Sequence, residues 1–193
     1  MLLQRTSFFV RERVGFLKFG DVYDLLDPES QQVVGSAREE PWAPWLRLVV
    51  NKRFLPTLVR VLEADGVTIA MTLRKRATIL RVRIEVFAAD GRRLGALRNK
   101  LLSLSGVIEV LDAEERKIGE FSGGVFSWTR ELKDASGILL GTMDKKWSGL
   151  GKELFTTADN YHLSAAPAVA GKPDAIALLL ATCLAYDVAF AES

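Results

Sequence analysis

Histidine and cysteine occur once each, as His162 and Cys183, and that scarcity removes several kinds of chemistry at the outset. A histidine metal cluster is excluded, and a Ser-His-Asp catalytic arrangement would have only His162 to use. One cysteine permits no internal disulfide, and nothing points to an oxidising compartment. Gly123-Gly124 and Gly149-Leu150-Gly151 lack the lysine and the strand-to-helix setting of a phosphate loop, so they are turn glycines. Near the start the only apolar patch is Phe8 to Val10, followed by Arg11, Glu12 and Arg13, too short a run for a signal peptide. There is no low-complexity linker. The 193 residues are therefore expected to form one domain, 1–193, in the cytoplasm, with no catalytic constellation, cofactor or metal site.

Strong charge of either sign is also missing, since 26 basic and 24 acidic residues leave a net +2, and no nucleic-acid partner is expected. The charge is unevenly placed. From Arg74 to Lys100 nine cations face only Glu85 and Asp90, a local +7 that leaves −5 elsewhere. Such a segment suits a basic face that meets a polyanion such as anionic lipid headgroups. It equally suits a solvated sheet face balanced by acidic neighbours after folding. Within it Arg74, Lys75, Arg76, Arg92 and Arg93 are the candidate phosphate-binding residues, as fixed cations.

What the chain does have is alternation. Leu80, Val82, Ile84 and Val86 face one way and Arg81, Arg83 and Glu85 the other, the period of a half-buried strand. Val67, Ile69, Met71 and Leu73 repeat it. Phe126, Trp128 and Leu132 do so again, with Arg130 as the exception to the pattern. Asp27-Pro28, Asp65-Gly66, Asp90-Gly91, Asp112 and Asp134 mark turns, the Asp-Gly pairs supplying the positive φ of tight hairpins. The runs predict about twelve strands: 7–14, 21–27, 32–38, 57–64, 67–74, 79–88, 93–100, 106–112, 117–122, 125–133, 138–144 and 160–165. A short helix is expected over Trp42 to Leu55, between Pro44 and Pro56.

The last stretch, Ala175 to Ala191, is apolar on every side except at Thr182 and Asp187, behind Pro173 and Asp174. A helix without a polar face belongs inside protein or inside a bilayer. Its apolar length of roughly 24 Å falls short of the ~30 Å hydrocarbon core, which favours burial in protein. The expectation is mainly β: a closed antiparallel barrel of about twelve strands around a central helix over about 173–191.

Tyr23-Asp24-Leu25-Leu26-Asp27, Arg74-Lys75-Arg76 before Ile84-Glu85-Val86-Phe87, and Asp90-Gly91-Arg92-Arg93-Leu94-Gly95 resemble phospholipid scramblase-related proteins. So do Trp147-Ser148-Gly149, Lys152 to Tyr161 and Leu184-Ala185-Tyr186-Asp187. The resemblance implies the tubby-like fold, shared with LURP-one-related proteins and with tubby domains whose basic surface binds phosphoinositides. It lacks the Pro-rich N-terminal region and cysteine cluster of eukaryotic scramblases, as a minimal bacterial-type member would. Where those proteins carry an acidic calcium-binding stretch, this chain has Ser164 to Ala170, so calcium is not expected.

Three functions stay open at this point: a non-enzymatic protein that binds anionic phospholipid or phosphoinositide peripherally at the inner face of the membrane; a membrane-inserted scramblase spanning with 175–191; and a soluble barrel for a protein partner or small ligand. Asp187 is expected to be a structural buried polar residue, paired with an arginine of the wall or exposed at the barrel mouth. Cys183 is expected to be buried and inert, and His162 to be structural or exposed. Trp128 is expected in the core, whereas Trp45 and Trp147 are candidates for a membrane interface.

Overall fold

The computed structural model describes residues 1–13, 20–41, 55–77, 82–99, 107–123, 127–145 and 160–190, except for the side chains of 41 and 187–190. Twelve strands follow one another in the order of the chain: β1 (Ser7–Glu12), β2 (Val22–Leu26), β3 (Val33–Pro41), β4 (Thr57–Glu63), β5 (Ile69–Lys75), β6 (Arg83–Ala88), β7 (Arg93–Asn99), β8 (Ile108–Asp112), β9 (Lys117–Ser122), β10 (Thr129–Asp134), β11 (Leu139–Asp144) and β12 (Asn160–Ala165). Each pairs antiparallel with the next, and β1 pairs with β12 through Ser7↔Ser164 to Arg11↔Asn160, so the barrel is closed. Closure leaves no row of unpaired amides at an edge. Among the described residues one α-helix, α1 (Pro173–Phe190), follows the last strand.

Alternation decides which residues face α1. Tyr23 and Leu25, Val59 and Val61, Met71 and Leu73, Ile84 and Val86, and Tyr161 and Leu163 point inward and join the core. Against them pack Ile176, Leu179, Leu180, Ala181, Cys183, Leu184 and Ala185, all at most 2% exposed. A fully buried Leu or Ile contributes about 1.5–3 kcal/mol, so wall and helix stabilise one another. Thr182, the one described polar side chain in that run, donates to the Leu178 carbonyl at 2.7 Å and is satisfied within the helix. The segment weighed as a membrane span is thus the filler of the barrel. Among the described residues no helix is long and apolar enough to cross a membrane.

Two glycines let the helix approach the wall. A Cβ on Gly141 of β11 would lie 2.6 and 2.7 Å from the Leu179 methyls. One on Gly95 of β7 would lie 2.1 Å from the Leu111 carbonyl oxygen and 3.2 Å from Leu178. The end where α1 enters is sealed by a 3-10 turn over Leu2–Gln4, whose Leu2 is 1% exposed and whose amide donates to Glu63 Oε2 at 2.8 Å.

The two ends of the barrel differ. At the end where α1 enters, β2–β3, β4–β5, β6–β7, β8–β9 and β10–β11 are joined by short turns (27–32, 64–68, 89–92, 113–116, 135–138). Each is tied by an aspartate that accepts hydrogen bonds from its own amides: Asp27 from Glu29 and Ser30, Asp65 from Val67 and Thr68, Asp90 from Arg92, Asp112 from Glu114 and Arg116, Asp134 from Ser136 and Ile138. Such bonds favour the ionised carboxylate and hold Asp27 below the usual aspartate pKa; Asp65 is held below it first by the Thr68 hydroxyl and then by its amides. At the opposite end most connections are longer (13–21, 42–56, 76–82, 100–107, 123–128, 145–159).

The strands lie where alternation predicts, with ends shifted by a few residues, except that Val67 and Ile69, expected on one face with Met71 and Leu73, are 79% and 37% exposed, because β5 begins only at Ile69 and its pairing with β4 shifts register there. Trp128 departs from expectation: β10 begins after it, and it is 54% exposed rather than packed in the core. The short helix expected over 42–55 falls almost wholly outside the described residues, as do Trp42, Trp45 and Trp147.

Deleting residues 174–193 is expected to abolish the cooperative denaturant transition, and Leu180→Ala to lower stability by about 2–5 kcal/mol in the same melt. A truncated chain that still unfolds cooperatively would show that the wall stands without its filler.

Candidate functional site

The five candidate cations do not form one cluster. Period two separates even the consecutive run at the end of β5, where Arg74 points outward while Lys75 points inward and is 3% exposed. Lys75 was expected as a surface cation, but it lies inside the mouth with Thr57, Val59, Leu73, Ile84 and Ala185 of the helix. Arg76, just past the strand, faces Glu85 at 3.6 Å and keeps 79% of its side chain exposed. Arg92 and Arg93 sit at the opposite end of the barrel, in and after the β6–β7 turn.

Those two are engaged by acids far away in sequence. Arg92 donates two hydrogen bonds, of 2.9 and 3.1 Å, to Asp174 in the first turn of α1, and that partnership raises its pKa. A carboxylate is well placed there because the N-terminal amides of a helix carry partial positive charge. Arg93 donates to the Ala113 carbonyl at 2.8 Å and to Glu115, which also accepts from Arg83. Arg98 is held by Glu109 at 2.7 Å. Much of the basic segment is therefore balanced by acidic neighbours.

What remains is at the other end. Arg74, Lys75 and Arg76 line one open groove of about 550 Å³ with Pro56, Thr57, Leu58, Ala77 and Glu40. Arg74 packs its guanidinium over the Phe87 ring, 5.2 Å from the centroid, a contact that orients the group and leaves its charge in place. The groove thus joins an apolar floor to two outward arginines, with Lys75 beneath them. Such an arrangement suits an amphiphile with an anionic head.

Sequence reasoning missed the polar lining of the mouth beside this groove. Thr57 donates to Glu39 Oε1 at 3.0 Å, and Glu39 Oε2 accepts from the Asp21 amide at 3.2 Å. Arg130, 8% exposed, lies 4.2 Å over the ring of Tyr186. Lys75 and Arg130 are inward cations at the last turns of α1, where a helix presents its negative end. The only signal was that Arg130 breaks the alternation of its strand. Asp187 falls in the same part of α1, but its side chain lies outside the described residues. Cys183 is buried, 1% exposed.

His162 is on the outer wall, where Ser7 Oγ lies 3.0 Å from its Nε2 and ties β1 to β12. Burial lowers its pKa, partly offset by Asp144 on the neighbouring strand. Among the described residues no group of three or more His, Cys, Asp or Glu side chains is placed to hold a metal ion.

Asp24, 3% exposed, is the most enclosed acid of the outer wall among the described residues and accepts from Arg13 Nε at 2.9 Å and Arg11 at 3.2 Å. Burial pushes its pKa up, but the two arginines outweigh this and leave it below the ordinary 3.8. A carboxyl with a depressed folded-state pKa contributes stability that is complete above its unfolded value and is lost as pH falls through the folded one. Stability is therefore expected to drop below about pH 4, and Asp24→Asn to flatten that slope in acid melts while lowering stability at neutral pH.

No curated protein and no solved structure matches the chain. The model of one family, described as Scramblase, matches residues 5–193. That span takes in all twelve strands and the central helix, so the tubby-like barrel and the family model cover the same residues: the chain belongs to the Scramblase family.

Proposed function

We propose that this Scramblase-family barrel is a non-enzymatic protein that binds the headgroups of anionic phospholipids, phosphoinositides included, at the cytoplasmic face of a membrane. The observation that carries this is the groove in which Arg74, Lys75 and Arg76 come together over Pro56, Leu58 and Ala77. Arg74 and Arg76 supply outward charge to phosphate, and Lys75 adds a cation from inside the rim. Arg92 and Arg93 play a smaller part, because Asp174 and Glu115 already satisfy them. Binding of this kind is peripheral, since the apolar helix is committed to the barrel.

The test is flotation of the purified chain with neutral and anionic vesicles at low and high salt. Salt-sensitive binding to anionic vesicles alone is expected, because exposed cations are screened beyond a Debye length of about 8 Å at physiological ionic strength. Arg74→Glu with Arg76→Glu should abolish it, whereas Arg92→Ala should reduce it far less. Unchanged flotation of the double variant would remove the groove from the account. A folded monomer that never floats would turn the search to protein partners and small ligands.

A further inference from the structure

We propose that the chain docks side-on, with the outer wall of β3, β4 and β5 against an anionic bilayer and the β4–β5 turn dipping into its apolar layer; this rests on the lipid binding proposed above. The groove at Arg74 does not end at the rim. Glu40 also lines a second groove of about 300 Å³, shared with Arg38, Arg60, Leu62, Gly66, Val67 and Ile69. The two run one after the other along the same wall, from Arg76 at one end of the barrel to Val67 at the other.

Charge on this wall favours an extended anionic surface. Arg38 and Arg60 are direct cross-strand partners, and like charges so placed repel unless an anion lies over them. Arg60 has Glu40 at 2.6 Å. Arg38 and Arg74 form no ion pair among the described residues. The opposite wall is different: outward on β9, β10 and β11 acids and lysines are matched, Glu120 by Lys117 at 2.7 Å and Glu131 by Lys133 at 2.5 Å, with Asp144 beside them.

The apolar component lies at the far end of the arginines. Val67 in the β4–β5 turn is 79% exposed, Ile69 beside it 37%, and Val33 at the start of β3 46%. The carboxylate of Asp65 in that turn is occupied by the amides of Val67 and Thr68 and by Thr68 Oγ1. From Arg74 to Ile69 the strand spans roughly 17 Å at its ~3.3 Å rise per residue, and Val67 lies beyond it in the turn. No single headgroup reaches that far, but a membrane plane does. Aliphatic side chains at one end of a cationic wall therefore match the headgroup and acyl layers of one surface.

An environment-sensitive fluorophore on Val67→Cys, compared with Ile138→Cys at the same end of the barrel but away from this wall, tests the orientation in the full chain. Ile138 is 55% exposed, and the buried native Cys183 is out of reach of the label. With phosphatidylcholine vesicles containing phosphatidylserine, a blue shift and a several-fold gain in emission are expected at position 67 and none at 138. Val67→Asp, at an exposed turn that leaves the fold intact, should weaken flotation several-fold without altering the melt. Flotation with no change at position 67, or with equal changes at both, overturns the side-on docking and leaves headgroup binding standing. Absence of flotation overturns both. A response at position 67 that grows with protein concentration and needs no vesicles assigns the wall to a second copy of the chain and likewise overturns the proposal.

Discussion

A helix with aliphatic residues on all sides has no stable position at a boundary with water, and the twelve strands are arranged as they are because they enclose one. The inward residues of the wall would be exposed without α1, just as α1 would be exposed without them. Neither half has another partner among the described elements. Fine adjustment follows from the same constraint: Gly95 and Gly141 are wall positions where even a methyl group would collide, with a neighbouring carbonyl at the first and with Leu179 at the second. Leu2 then closes the end through which the helix enters. Packing of this kind leaves little freedom for the helix to leave the barrel, so the lipid contact proposed for this chain is placed on its outer surface.

The outside is organised by the two ends. Aspartates fix the turns where α1 enters, one for each hairpin, and the Arg92–Asp174 pair fastens the start of the helix to one of those turns. Polar and charged side chains gather at the other mouth, where the wall turns from Met71 and Leu73 to Lys75 and from Val59 to Thr57. Connections there are mostly longer, and the groove under Arg74 opens beside them. A rigid end and a polar end on one barrel give a scaffold on which surface chemistry can change while the core is kept.

Alternation made most of the fold legible in the sequence, because an inward-facing strand residue must be apolar when a helix fills the barrel. The same rule, applied strictly to Arg74-Lys75-Arg76, would have placed Lys75 inside; reading the three as one basic block hid it. Arg92 and Arg93 could not be judged from the chain, since their acids lie 82 and 22 residues away. Trp128 followed the phase of β10 on paper, but the strand starts one residue later and leaves it outside. Leu2 gave no periodic signal at all, being a single residue in a short turn. The groove itself depends on the β4–β5 register, which sets Thr57 beside Lys75 and Leu58 beside Arg74; Asp65-Gly66 signals the hairpin but not that register.

The seam between β1 and β12 joins Ser7 to Ser164, so the ring is completed by the first and last of its twelve strands. The filler comes later still, since α1 begins at Pro173. Hairpins can therefore form locally, but the ring and its interior wait for β12 and α1. Contacts between such distant parts of a chain close slowly, because the entropy of a long loop must be overcome first. Until α1 is in place, the inward faces of the earlier strands have no filler, and apolar surface left uncovered in this way favours aggregation.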